Sequence, residues 1–313
     1  MAITINQILD GFEQRDVSIL ARAITLVESE KQEHRELTQQ LFSHLQIKRT
    51  IKKPLKIAVS GTPGVGKSSF IERFGLHIVD KLNLNLAVLA IDPSSQISGG
   101  SILGDKTRMN ELSRHARAFI RPSAAGNHLG GVARKTRDVI ALCEFFGFDY
   151  ILVETVGVGQ SEAAAWSMVD IFMMLMQTGG GDDLQGIKRG ILELVDLMII
   201  TKADGENLAK ANIYAQEMKM ALNLLRGKEI DVLTCSSLKN EGFKDVYKKL
   251  THFQKVQKSS SAVELAKKEY WAREYLFDEI SSRLLPEIYR HIQSDSSKSP
   301  EEIVQLYLNK LIK

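Results

Sequence analysis

The chain predicts an α/β fold: a doubly wound, mostly parallel sheet with a helical extension at its N-terminus and a helical arm at its C-terminus. Three observations lead there. Seven short, β-rich apolar runs alternate with helical segments between residue 55 and about residue 250. The runs are continuous rather than alternating, as strands covered on both faces must be. On either side of this region the apolar residues recur at helical spacing.

Residues 1–50 read as the helical extension. Leu20, Ile24 and Val27, then Leu37, Leu41 and Leu45, fall three or four residues apart with no strand-like alternation, which predicts two helices. The basic joint KRTIKKP (48–54) reads as a solvated linker. A domain at 51–255 follows. Its runs are LKIAVS (55–60), LAVLAID (86–92), AFIRP (118–122), YILVET (150–155), IFMMLM (171–176), DLMIIT (196–201) and IDVLTC (230–235), joined by helical crossovers. Ligands of such sheets sit at the carboxyl ends of the strands, so the residues after each run are the candidates for chemistry.

The tail, 256–313, opens on the polar VQKSSS and turns helical. Val263, Ala266, Tyr270, Arg273, Phe277, Ile280 and Leu284 are spaced by three and four in alternation until Pro286 interrupts them. Such a stripe suits either packing on its own domain or a dimerisation helix.

Composition narrows the classes. With 313 residues, 44% hydrophobic and 25% charged, the chain has the make-up of a soluble globular protein with a large core. A net charge of +3 is too small to argue for nucleic acid or an anionic membrane surface as partner, because electrostatic binding of either usually needs clustered basic residues. Cys143 and Cys235, both in apolar segments, argue against a disulfide framework and for a reducing compartment. The start MAITINQILDGFEQRD lacks the basic-then-apolar order of a signal peptide, and no apolar run approaches the roughly 20 residues of a bilayer span. A cytoplasmic protein is expected.

After the first run comes GTPGVGKS: Gly61, Thr62, Pro63, Gly64, Val65, Gly66, Lys67 and Ser68, with Ser69 opening the next helical segment. Every fixed position of G-x-x-x-x-G-K-[ST] is filled, in the strand–loop–helix context the motif requires. Glycines let the backbone curl so that successive N–H groups face phosphate oxygens at the positive end of a helix. Lys67 is expected against the β- and γ-phosphates, and the Ser68 hydroxyl on Mg²⁺.

The remaining strand ends must say which nucleotide and to what end. Asp92 closes the second run and a Gly-rich stretch follows it to Met109. Glu154 closes YILVE, with Gly157 three residues on, the form of an element that holds Mg²⁺ and offers a backbone N–H to the γ-phosphate. Thr178-Gly179-Gly180-Gly181-Asp182-Asp183 follows the fifth run and suits a third movable loop or an inert turn. DLMII ends in Thr201-Lys202-Ala203-Asp204, close to the Asn-Lys-x-Asp element in which the aspartate accepts from guanine and the lysine stem covers the base. Ser236, Ser237 and Leu238 occupy the place of a second base-contacting loop, where a backbone N–H can reach guanine O6.

Taken together, GTPGVGKSSFIE, AIDPSSQISGGSILGDKTRM, RPSAAGNHLGGVAR, ILVETVGVGQSE, GDDLQGIK and TKADGEN resemble the MeaB, ArgK and MMAA family of P-loop GTPases over roughly residues 10–250. The resemblance implies a homodimeric G-protein chaperone of adenosylcobalamin-dependent acyl-CoA mutases such as methylmalonyl-CoA mutase, using GTP, GDP and Mg²⁺. It implies that Lys67 and Ser68 carry phosphate and Mg²⁺, that Asp92, Asp105 and Glu154 form an acidic network for Mg²⁺ and water, and that Lys202 and Asp204 recognise guanine. Residues 92–109, 154–166 and 177–188 are then the three switches, and the tail the dimerising arm.

The sequence departs from that pattern twice. Thr201 stands where the family has asparagine, and Thr178 with three glycines replaces a Pro-Gly version of the third loop. The expected reaction is GTP + H₂O → GDP + phosphate, slow until a partner engages, with the transferring phosphoryl group stabilised by Lys67, Mg²⁺ and loop N–H groups such as that of Gly157. An ATP-driven kinase or ATPase of amino-acid transport, a ligase of the dethiobiotin-synthetase type and a metal-insertion GTPase are the rival readings.

Overall fold

In the computed structural model of the chain, the structure describes residues 3–29, 31–47, 53–91, 109–121, 129–155, 161–179, 189–256, 261–280, 284–294 and 299–311. Each of the seven apolar runs forms a strand. They are β1 (Leu55–Gly61), β2 (Leu86–Ile91), β3 (Ala118–Arg121), β4 (Tyr150–Thr155), β5 (Ile171–Gln177), β6 (Leu197–Thr201) and β7 (Asp231–Thr234). All pair in parallel in the order β3-β2-β4-β1-β5-β6-β7. Every residue of β4 and all but Gln177 of β5 is buried, the pattern of strands with a layer on each face.

The extension contains three helices, where helical spacing predicted two: α1 (Ile5–Glu13), α2 (Val17–Glu28) and α3 (Gln32–Ile47). The extra break has a local cause. Arg15 takes φ 58°, a left-handed turn, and Asp16 then caps α2 by accepting from the Ser18 N–H at 2.8 Å. Periodicity alone runs through a break this short. Arg15 also fixes the extension to the sheet domain. Its Nη1 donates to the Gly147 carbonyl at 2.6 Å, and Phe12 meets Phe146 edge-on at 5.4 Å, at the end of the helix Leu129–Phe146.

The core that positions the site lies beneath the helix α4 (Lys67–Leu76). Its Phe70 and Phe74 are fully buried and meet Phe243 at ring separations of 5.6 and 6.2 Å. Ile57, Val59, Leu152, Met173, Leu175 and Ile199 of the central strands complete this cluster. Because β1 sits between β4 and β5, with β6 beyond, one sheet edge gathers the loops that follow these four strands.

The described residues divide into two compact units, 1–258 and 259–313. The second comprises the helices Ser261–Glu279, Leu285–Ser294 and Pro300–Leu311. Pro286 falls in the first turn of its helix, where a missing N–H costs no hydrogen bond. Ile288 and Ile303 are buried there, and the His291 and Tyr307 rings lie 6.0 Å apart. Among the described residues no helix is long and apolar enough to cross a membrane.

Candidate functional site

The phosphate loop leaves β1 through Gly61, at φ 154°, where a Cβ would come within 2.6 Å of the Leu175 carbonyl oxygen on the neighbouring strand. Only glycine fits both the angle and the space. Gly66, at φ 97°, then turns the chain into α4 from a left-handed conformation that disfavours any side chain. Lys67 follows, with Nζ donating to the Gly61 carbonyl at 2.6 Å and the Thr62 carbonyl at 3.1 Å, so the ammonium stays against its own loop. Burial pulls the Lys67 pKa below its ordinary value, while the Glu154 and Glu162 carboxylates act in the opposite sense.

Next on the same helix, the Ser68 hydroxyl donates to Glu154 Oε1 at 3.2 Å. Glu154 is buried at the end of β4, and the parallel register sets it beside Val59 of β1. A hydroxyl and a carboxylate meeting beside a phosphate loop make a hard-oxygen donor pair, which fits a Mg²⁺ ion carried with a nucleotide. Asp92, Asp105 and Gly157 lie outside the described residues.

The base side is built by β6 and β7. Ala203 N–H donates to the Cys235 carbonyl at 3.0 Å, and Cys235 N–H to the Ile200 carbonyl at 2.9 Å, so the two loops leave the sheet zipped together. Lys202 takes φ 55° and sends Nζ to the Gly64 carbonyl of the phosphate loop at 2.9 Å. Asp204 accepts from the Ser236 hydroxyl, which also receives the Lys239 N–H at 2.9 Å. One accepted bond leaves an ionised carboxylate lone pairs for two further donors, the number a guanine Watson–Crick edge presents through N1–H and N2–H₂.

A cleft of about 610 Å³ joins the two halves. Val65, Gly66 and Ser69 line it on the phosphate side, and Lys202, Asp204, Ser237 and Leu238 on the base side. The Ser236 N–H donates to the Glu241 carbonyl at 3.1 Å in a two-way bridge that braces this loop.

Two residues escaped sequence reasoning. Glu72 is buried in the third position after Ser69 and accepts the N–H groups of Glu111 and Leu112 at 2.9 and 3.4 Å, which fixes the point where the chain rejoins the described structure after residue 108. Asn207 bridges Lys202 and Thr178. A charged residue on the buried side of a helix was the available signal for Glu72; nothing local marked Asn207. Arg121, the last residue of β3, pairs with Glu28 at 2.6 Å.

Comparison with known proteins gives the family. Residues 20–288 match the family described as methylmalonyl Co-A mutase-associated GTPase MeaB. The chain belongs to the MeaB family. It is 41% identical over 288 residues to the GTPase ArgK of Escherichia coli, covering 90% of this chain and 86% of that one. Against the mouse mitochondrial methylmalonic aciduria type A homolog it is 43% identical over 299 residues, covering 92% and 72%. A solved structure named LAO/AO transport system kinase superposes with a TM-score of 0.73 at 30% identity, covering 99% of this chain and 98% of that one.

Membership gives position 201 a reference point, since the MeaB-type resemblance leads one to expect asparagine there. The Thr201 hydroxyl is buried and within hydrogen-bond distance of the Val65 carbonyl at 2.7 Å and the Met176 carbonyl at 3.1 Å. It therefore ties β6 to the phosphate loop. Its single proton serves these acceptors and leaves no amide for the base.

Proposed function

We propose that this protein is a GTP-binding and GTP-hydrolysing chaperone that gates cofactor loading and protects or reactivates an adenosylcobalamin-dependent acyl-CoA mutase. The carrying observation is that a triphosphate loop and a guanine-type reading loop open on one cleft and touch through Lys202 and Gly64. The mutase as partner draws its support from the family description and from the name of the mouse relative.

In the reaction, phosphate-loop N–H groups and Lys67 hold the charge that spreads over the transferring phosphoryl group. Ser68 and Glu154 are the residues present that would hold Mg²⁺, with Asp92 and Asp105 assigned to the same network by resemblance; the ion supplies charge neutralisation at the phosphates. Asp204 and Lys202 select guanine, beside Ser237 and Leu238. Hydrolysis is slow until the mutase engages residues 177–188, and loss of the γ-phosphate changes the loops at 92–109 and 154–166. The protein works in the cytoplasm as a homodimer through the arm 256–313.

A second reading, an ATP-driven kinase or ATPase of amino-acid transport, takes its support from the name of the solved relative. Side-by-side affinities separate the two. The chaperone reading expects GTP to bind at least tenfold more tightly than ATP, Asp204→Asn to move preference toward xanthine nucleotides, and a cognate acyl-CoA mutase to accelerate GTP hydrolysis. Equal affinity for ATP, or a hydrolysis rate indifferent to every such mutase, rejects it.

A further inference from the structure

We propose that Asn207 is the positioning residue of the base-reading loop and that it couples this loop to the root of the third loop at Thr178. The inference rests on the reading of Lys202 and Asp204 as guanine-recognition residues.

The loop needs an external support. Lys202 sits at φ 55°, a left-handed conformation unfavourable for a residue with a side chain, and its backbone must hold that shape for Asp204 to face the cleft. Thr201, just before Lys202, spends its hydroxyl on the Val65 and Met176 carbonyls. Asn207 supplies a carboxamide to the loop from five residues further on. Its Nδ2 donates to the Lys202 carbonyl at 2.7 Å, while its own N–H donates to the Asp204 carbonyl at 3.0 Å, closing the segment 202–207 on itself.

Position and partner both set Asn207 apart from an ordinary helix cap. It occupies the N-cap of the helix Leu208–Arg226, where asparagine ordinarily accepts from the first-turn N–H groups, yet its side chain makes no capping bond. The amide points back at the loop instead. The Lys202 carbonyl can only accept, so it takes the amide nitrogen and leaves Oδ1 to accept from the Thr178 hydroxyl at 2.6 Å. Thr178 is the first residue beyond β5, so the chain of bonds runs from the root of the third loop through Asn207 to Lys202, and from Lys202 Nζ to Gly64 of the phosphate loop. Movement at Thr178 therefore alters the brace on the base-reading loop.

The test measures GDP, ADP and tripolyphosphate binding to the full chain and its variants by calorimetry. In the unaltered protein GDP should bind more tightly than ADP. Asn207→Ala should weaken GDP about tenfold, the size of one lost hydrogen bond in a polar site, and tripolyphosphate much less, because that probe uses the phosphate loop, which the brace reaches only through Lys202 Nζ and Gly64. Thr178→Val should weaken GDP about threefold, Thr178→Ser should restore it, and the double variant with Asn207→Ala should be no weaker than Asn207→Ala alone. Should Asn207→Ala not fold, the Val and Ser pair at Thr178 decides. Unchanged GDP affinity, an equal loss for tripolyphosphate, or additive effects of the two positions overturn the inference. Equal GDP and ADP affinity in the unaltered protein overturns the base reading, and the inference with it.

Discussion

Thr201 shows how one substitution divides a task. Its hydroxyl joins β6 to the phosphate loop, but one proton cannot also serve the base-reading loop. The sequence marks the departure; that Asn207 stands close enough to take over the second part is a fact of folding. Asp138 offers a residue-scale prediction of another kind. Burial in the helix Leu129–Phe146 pushes its carboxyl up to about 6 from an ordinary 3.8, against the opposing pull of Arg134 and Arg137. The folded protein thus binds this proton more tightly than the unfolded chain, so the contribution of Asp138 to stability falls between pH 4 and pH 6 and is level above. Asp138→Asn, which keeps the shape of the neutral acid, should raise stability by about 1–2 kcal/mol at pH 7 and change little at pH 4. Urea unfolding at the two pH values checks this; an equal effect at both would assign the change to something other than ionisation.

At the scale of elements, the strands were legible because each is a short, largely apolar run, a signal confined to its own residues. The break between α1 and α2 was not, because it rests on the backbone angle of Arg15 and on the Asp16 cap, neither of which disturbs apolar spacing. The phosphate-binding helix α4 is both signature and foundation. Its outer end presents Lys67 and Ser68, and its inner face sets Phe70 against Phe74 and Phe243 at 5.5 and 5.6 Å. Phe70→Ala removes a fully buried ring from this cluster and should cost about 3–5 kcal/mol. Chemical denaturation should show the midpoint falling with an unchanged slope; a loss below about 1 kcal/mol would mean that the helix is held chiefly by its loop.

For the molecule as a whole, the proposed homodimer gives the arm its prediction. Its first helix exposes Leu265, Leu276 and Phe277 at 56%, 60% and 67%. If this surface serves a second copy, light scattering should give twice the mass of one chain, and Leu276→Asp with Phe277→Asp should bring it to one chain without altering nucleotide affinity. An unaltered protein that stays single at high concentration would refute the dimer.

By itself the sequence determined the seven strands, the phosphate loop, and the Lys202 and Asp204 pair, since each is written in residues adjacent along the chain and obeys local geometry. Tertiary structure decided which loops share a cleft, through the order β4-β1-β5-β6. It also decided that Ser68 meets Glu154, Thr201 meets Val65, Ser236 meets Asp204, and Asn207 meets Thr178. Those pairs lie far apart in the chain, and a hydrogen bond depends on ångström-scale placement that no spacing rule encodes.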